Sequence, residues 1–269
     1  MGGDTRSSGV EAMRRKKIIL VSVLPLLIIP ALVFRVLMHN DVLYDDMILV
    51  RGGTFTVGDG ELSSRYEYSV KDFMISPCEV TNELFVKVCN RGIEWKIVEA
   101  KNEQIRFDPR SKVVLQFALL DMRIDGCRIR ISDGKILTEP GTEKLPVVGV
   151  SWYGAAVFCN LLSKMEGRDE VYDTIDWIHK KGVKGYRLPT YEEWEYAARG
   201  GALSGGYAFA GSDDPLEVGW FLQNSDGTVH PVGLKKPNEL GLYDMSGNLH
   251  EFMTEIWCLL RTENYKPGI

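Results

Sequence analysis

The segment GLYDMSGNLHEF, residues 241–252, gathers Asp244, Asn248, His250 and Glu251 around Gly247. The run looks like the opening of a metal-binding, core-forming hairpin. The same residues also suit a plain turn, with Asp244 and Asn248 satisfying local amides and Gly247 at positive φ. The chain's four histidines show no HxxxH or HxE grouping. A lone His250 is more often a weakened packing position than a ligand or base. The five cysteines, Cys78, Cys89, Cys127, Cys159 and Cys258, contain no CxxC. That excludes zinc-ribbon and thioredoxin-like chemistry. An exported chain can pair some of them, leaving at least one unpaired. Cys159 falls on an apolar helical face and reads as a buried, inert thiol.

The elements that position these residues are legible in places. MILVRGGTFTVG (47–58) predicts a strand pair turning at Gly52-Gly53. After YSVKDFMISPCEV, Thr81 is an N-cap, and Leu84, Phe85, Val88 and Cys89 follow at helical spacing. Residues 90–145 hold a short apolar run, KVVLQFALL, and a hairpin, CRIRISDGKILTE, with Asp133-Gly134 in its turn. In LPVVGVSWYGAAVFCNLLSKMEG, residues 147–150 are extended and Ser151 caps a helix. Trp152, Ala155, Ala156, Cys159 and Leu162 share one face of it, and Gly167 ends it. Thr190 and Glu193 form a capping box. Trp194, Ala197 and Ala198 line the buried face there, and Gly200-Gly201 stop the helix. From residue 202 the chain is rich in Gly, Asp, Asn and Ser. Tyr207, Phe209, Trp220, Phe221 and Tyr243 punctuate it, which argues for an ordered, irregular fold.

The first residues are of another kind. Arg14, Arg15, Lys16 and Lys17 precede the uncharged run IILVSVLPLLIIPALVF (18–34). Residues 18–38 suit a signal anchor or transmembrane helix, with Arg35 snorkelling. Residues 1–17 are then a basic cytoplasmic leader, and the rest faces the extracytoplasmic side. A cleaved signal peptide, releasing a secreted domain, is the rival reading. Net charge is −5, which gives no general electrostatic case for nucleic-acid binding.

Five segments, in order, carry a family resemblance: MILVRGGTFTVGDG, SPCEVTNELF, LPVVGVSWYGAAVFCNLLSKMEG, GYRLPTYEEWEYAARGG and TVHPVGLKKPNELGLYDMSGNLHEF. From about residue 45 to residue 257 the chain resembles the formylglycine-generating-enzyme, or sulfatase-modifying-factor, family. The resemblance implies an α+β, C-type-lectin-like fold with short helices, small sheets and much irregular structure. Residues 90–145 become an insertion, and residues 258–269 an unrelated tail. It also implies a calcium site: side-chain oxygens from Asp244 and Glu251, backbone carbonyls from Gly247 and Leu249. Asn224 and Asp226 suit a second calcium, though their loop departs from the family spacing. His250 and Phe252 stand where relatives carry tryptophans.

The family's founding members are copper-dependent oxidases that convert a substrate cysteine into formylglycine. Their reactive cysteine pair lies beyond the turn that ends here at Phe252, and Cys258 matches neither member. Copper(I) needs paired soft thiolates, so copper is not supported and no catalytic residue is assigned. Three readings remain. The first is a membrane-anchored, non-catalytic binding module for a protein or glycan ligand. The second is a formylglycine-type oxidase acting on a sulfatase cysteine, if a further C-terminal segment exists. The third is an inactive, truncated remnant.

Overall fold

The computed structural model describes residues 47–57, 66–107, 118–180 and 182–254. The basic leader, the apolar run of residues 18–38, most of KVVLQFALL and the 258–269 tail lie outside the described residues. Among the described residues, no helix is long and apolar enough to cross a membrane.

The first strands do not form the hairpin that the sequence predicts. β1 (Ile48–Val50) pairs antiparallel with β4 (Phe73–Ile75), while β2 (Gly53–Val57) pairs with β3 (Tyr66–Val70). The Gly52-Gly53 step passes the chain between two small sheets instead of folding it back. At Gly52 a Cβ would stand 2.5 Å from the Val70 carbonyl oxygen, so only glycine lets the crossing strands approach. Asp72 pins the step, accepting from the Gly52 N–H at 2.8 Å and from Arg51 at 2.7 Å.

The helices begin where their caps place them. α1 (Asn82–Glu94) starts at Thr81, whose hydroxyl accepts from the Leu84 N–H at 3.3 Å. α2 (Trp152–Met165) starts at Ser151, which accepts from the Gly154 N–H at 3.1 Å. α3 (Tyr191–Ala198) has the full reciprocal capping box of Thr190 and Glu193. Arg187 grips the same Glu193 carboxylate through both terminal nitrogens, each at 2.6 Å. Gly200 and Gly201 end α3 at φ 86° and 56°. A short 3₁₀ turn (Gly201–Leu203) and α4 (Pro215–Val218) follow.

α2 departs from the single-face expectation. Ala156 through Ser163 are all buried, because α2 is enclosed by α1 on one side and the 171–172 segment on another. Phe85 and Phe158 stack at 5.5 Å between α1 and α2. Buried Asn160 spans to the other side: its carbonyl accepts from Val171 and Tyr172 N–H at 2.9 and 3.0 Å, and its amide donates to Tyr172 O at 2.8 Å.

Within the insertion, β5 (Val98–Lys101), β6 (Gln104–Phe107) and β7 (Leu120–Asp121) form an antiparallel sheet. β8 (Ile129–Ser132) and β9 (Lys135–Thr138) form the expected hairpin, with Asp133 and Gly134 at φ 50° and 73°. Asn90 of α1 clamps Ile136 of β9 in both directions, at 2.8 and 3.0 Å. The insertion is therefore bonded to the main helices.

Residues 202–254 are ordered coil, held by side chains that do the work of a ladder. Buried Asn238 donates to the Ala197 and Ala198 carbonyls that end α3, and accepts from the Leu240 and Leu242 N–H groups. Such pairing is required because buried backbone groups without partners are strongly destabilising. Around this staple Val50, Phe73, Tyr196, Ala197, Leu242 and Met245 form a core cluster joining β1, β4, α3 and the coil.

Candidate functional site

The turn of residues 244–251 is built from backbone conformations that few residues adopt. Asp244, Gly247 and Asn248 have φ of 56°, 87° and 57°. A Cβ on Gly247 would stand 2.4 Å from the Trp220 carbonyl oxygen. Asn248 fixes the turn from both sides. Its backbone N–H donates to Trp220 O at 2.9 Å, and its side-chain oxygen accepts from the His230 N–H at 3.0 Å. Trp220 is stacked on His230, centroids 3.8 Å apart, and Lys235 Nζ lies 4.1 Å from the Trp220 ring centre.

Glu79 arrives at the turn from far away in sequence. One carboxylate oxygen accepts from Asn248 Nδ2 at 2.8 Å, the other from the Leu249 N–H at 3.1 Å. Sequence reasoning missed Glu79. Its position between Cys78 and the Thr81 cap carries no local signal, although it falls within the matching segment SPCEVTNELF. Trp194 was expected only as a buried helix residue; its indole N–H also donates to Glu251 at 3.2 Å.

Asp244, which is 2% exposed, accepts from the Gly233 N–H at 2.7 Å through one oxygen. Its other oxygen is buried without a hydrogen-bond partner. Burial raises the Asp244 carboxyl above its ordinary value. Burial pushes Glu79 up to about 8, against the opposing Asn248 hydrogen bond and with help from the Glu251 and Asp244 charges. Glu251 is pushed up to about 7, chiefly by burial, with Asp244 adding to it. Burial raises all three carboxyls, the Asp244 charge adds to Glu79 and Glu251, and among the described residues no cationic side chain is bonded to them. Among the described residues, however, no three His, Cys, Asp or Glu side chains close on one point as a metal-holding group. Electrostatic influence reaches further than coordination, and Glu79 is already spent on the turn's own N–H groups. Two carboxylates supplemented by backbone carbonyls is a calcium type of donor set, not a zinc type. The orphaned Asp244 oxygen fits such an ion.

The plain-turn bonds occupy Glu79 and Asn248 and leave one Asp244 oxygen without a partner. His250 is exposed and Phe252 is 43% exposed, so neither fills a buried position. Asn224 turns its oxygen to the Phe221 N–H at 2.7 Å and its amide to Gly219 O at 3.0 Å. Asn224 thus serves its own loop, as an Asx-type turn residue. The four described cysteines are free. Burial raises all four thiols, Cys78 to about 11, and a protonated thiol is a poor nucleophile and a poor metal ligand.

The fold and site define a mixed helix–strand domain, largely ordered coil, organised around a carboxylate-bearing turn. The chain belongs to the sulfatase-modifying factor enzyme 1-like domain family, whose model matches residues 33–265. It is 29% identical to the chaperone protein LppX of Paenibacillus barcinonensis, across 81% of this chain and 72% of that one. It is 30% identical to the inactive C-alpha-formylglycine-generating enzyme 2 of Bos taurus, across 77% of this chain and 69% of that one. It is also 33% identical to the serine/threonine-protein kinase Pkn1 of Chlamydia trachomatis serovar L2, across 80% of this chain. There the chain spans only 28% of the relative. Among solved structures, CarF superposes with a TM-score of 0.57 at 27% identity, covering 78% of this chain and 80% of its own.

Proposed function

We propose that this chain is a membrane-anchored, outward-facing binding module of the sulfatase-modifying-factor family, without the family's oxidase chemistry. Its 244–251 turn is stiffened by a calcium ion. The observation that carries the calcium part is the buried, unpartnered Asp244 oxygen, with the Glu251 charge within electrostatic reach of Asp244. Asp244 and Glu251 would supply carboxylate oxygens, and Gly247 and Leu249 backbone carbonyls. The ion would supply positive charge to a buried acidic turn. Glu79, Asn248 and Trp194 would orient those donors.

Burial raises the four described thiols, so none of them is poised to stand in for the family's reactive pair, which supports a non-catalytic role. The likeness to a relative described as inactive points the same way. The ligand is a protein or a glycan. The anchor is residues 18–38, supported by the Arg14–Lys17 cluster before an uncharged apolar run. The oxidase reading is favoured by one observation, 25% identity to the formylglycine-generating enzyme of Bos taurus.

Calorimetric titration of the full chain with calcium and, separately, copper(I) tests both readings. The binding-module reading expects saturable calcium binding, no stoichiometric copper(I) binding and no oxygen consumption with a cysteine-containing sulfatase peptide. Copper(I) binding with oxygen uptake would replace it by the oxidase. Alkaline-carbonate extraction of cell membranes tests the anchor, since release of the chain into the soluble fraction would exclude it.

A further inference from the structure

The insertion builds a second concave site that the calcium turn does not use. β6, β7 and the start of α2 border an open cavity of about 590 Å³, lined among the described residues by Gln104, Arg106, Ala118, Asp121, Ile124 and residues 149–151. That volume lies in the range of small-molecule sites, about 300–1,000 Å³.

Its walls are rigid. Leu120 bridges antiparallel to Val150, Asp121 N–H donates to Gly149 O at 3.0 Å, and Ser151 N–H donates to Leu119 O at 2.9 Å. Gly149 sits at φ 87°, and a Cβ there would stand 2.6 Å from Asp121 O. A Cβ on Gly154 would stand 2.0 Å from Leu119 O. The first turn of α2 is therefore pressed directly onto β7.

Its charges are arranged unevenly. The one acid among the described lining residues, Asp121, is already satisfied by Gln104 Nε2 at 2.9 Å and by Arg123 through its backbone N–H at 3.0 Å and its Nε at 2.8 Å. Arg106 has no carboxylate partner among the described residues. Glu99 lies opposite it across β5–β6, yet the Arg106 Nε and one terminal nitrogen turn to Gln104 Oε1 instead. Among the described residues the other terminal nitrogen of the guanidinium has no hydrogen-bond partner. Ser151, the N-cap of the fourteen-residue α2, lines the same cavity, and the first turn of α2 carries no acidic residue to offset its positive end. Ala118, Ile124 and Val150 supply apolar surface beside these groups.

We propose that this cavity binds a small organic oxyanion, a carboxylate or a phosphate monoester bearing a compact apolar group, with Arg106 as its charged recognition residue. Gln104 holds the guanidinium in one orientation, which leaves its other terminal nitrogen to donate a charge-assisted hydrogen bond to a ligand oxygen. Ser151 also places the positive end of the α2 dipole at the edge of the same cavity. The site is independent of the calcium turn, so it stands or falls separately.

The test uses the full chain in EGTA with three probes: 3-phenylpropionate, phenyl phosphate and the neutral 3-phenylpropionamide. Binding is followed by calorimetry and by amide shifts of Gly149 and Ser151. One or both anions should bind, the tighter one identifying the source chemistry, and should move those amides. The neutral amide should bind at least about tenfold more weakly, the loss of one charge-assisted hydrogen bond. Arg106→Gln should weaken the anion about tenfold or more, Arg106→Lys less, and added salt should weaken the parent. Arg106 is exposed, so both variants should keep the parental circular dichroism. The proposal is overturned if neither anion binds up to about 20 mM, if the amide binds as tightly as the anions, or if Arg106→Gln binds like the parent.

Discussion

Asp244→Asn separates the calcium turn from the plain turn by the sign of its effect. In the calcium-free protein, Asp244 places a charge in a buried site where Glu79 and Glu251 already titrate near 8 and 7. Asparagine can still accept from the Gly233 N–H, so removing the charge costs little and relieves repulsion. With EGTA at pH 8 the variant should unfold no lower than the parent. Calcium at a hundredfold its Kd should raise the parent by about 2.7 kcal/mol. For a domain of this size that is about 5–11 °C in Tm, at about 2–4 °C per kcal/mol. With one of two side-chain carboxylates gone, the shift in Asp244→Asn should fall below about a third of the parental one. Differential scanning fluorimetry with EGTA and with excess calcium reads both quantities. The reasoning is refuted if the variant keeps the full calcium shift. It is equally refuted if calcium leaves the parent unmoved while the variant loses about 2 kcal/mol or more in EGTA, the result a purely structural Asp244 would give.

pH dependence follows from the same groups. Glu79 and Glu251 bind protons more tightly when folded than the ordinary value of 4.5. The unfolded chain ionises first, so in EGTA stability should fall as pH rises from about 4.5 through about 8. Calcium favours the ionised groups, so its stabilisation should grow over that window; a calcium shift larger at pH 6 than at pH 8 contradicts this. Asn160→Ala removes a buried side chain that bonds three backbone groups, and urea unfolding should show a loss of about 3 kcal/mol or more. Gly154→Ala would raise helix propensity by about 1 kcal/mol on an exposed helix. Here the new methyl meets Leu119 O, so thermal unfolding should show a net loss of about 1–3 kcal/mol; stabilisation would mean that α2 stands further from β7.

The sequence alone determined what is local or repeated as a pattern. The Thr81, Ser151 and Thr190 caps, the Asp133-Gly134 hairpin and the Gly200-Gly201 stop each depend on a few neighbouring residues whose chemistry permits little else. Five motif segments in order were enough for the family, and aromatic punctuation was enough to foretell order in a coil without periodicity. Only the tertiary structure decided which distant pieces meet. β1 pairs with β4 and not β2, because strand propensity names no partner and Gly52 serves a close crossing as readily as a turn. α2 is buried on most sides because two other segments enclose it, which its own periodicity does not record. Glu79 reaches Asn248 and Leu249 across 169 and 170 positions, and Arg106 turns to Gln104 and, among the described residues, meets no carboxylate. A carboxylate's proton affinity and an arginine's freedom are set by what surrounds them in space, and chain order carries that information only through the fold.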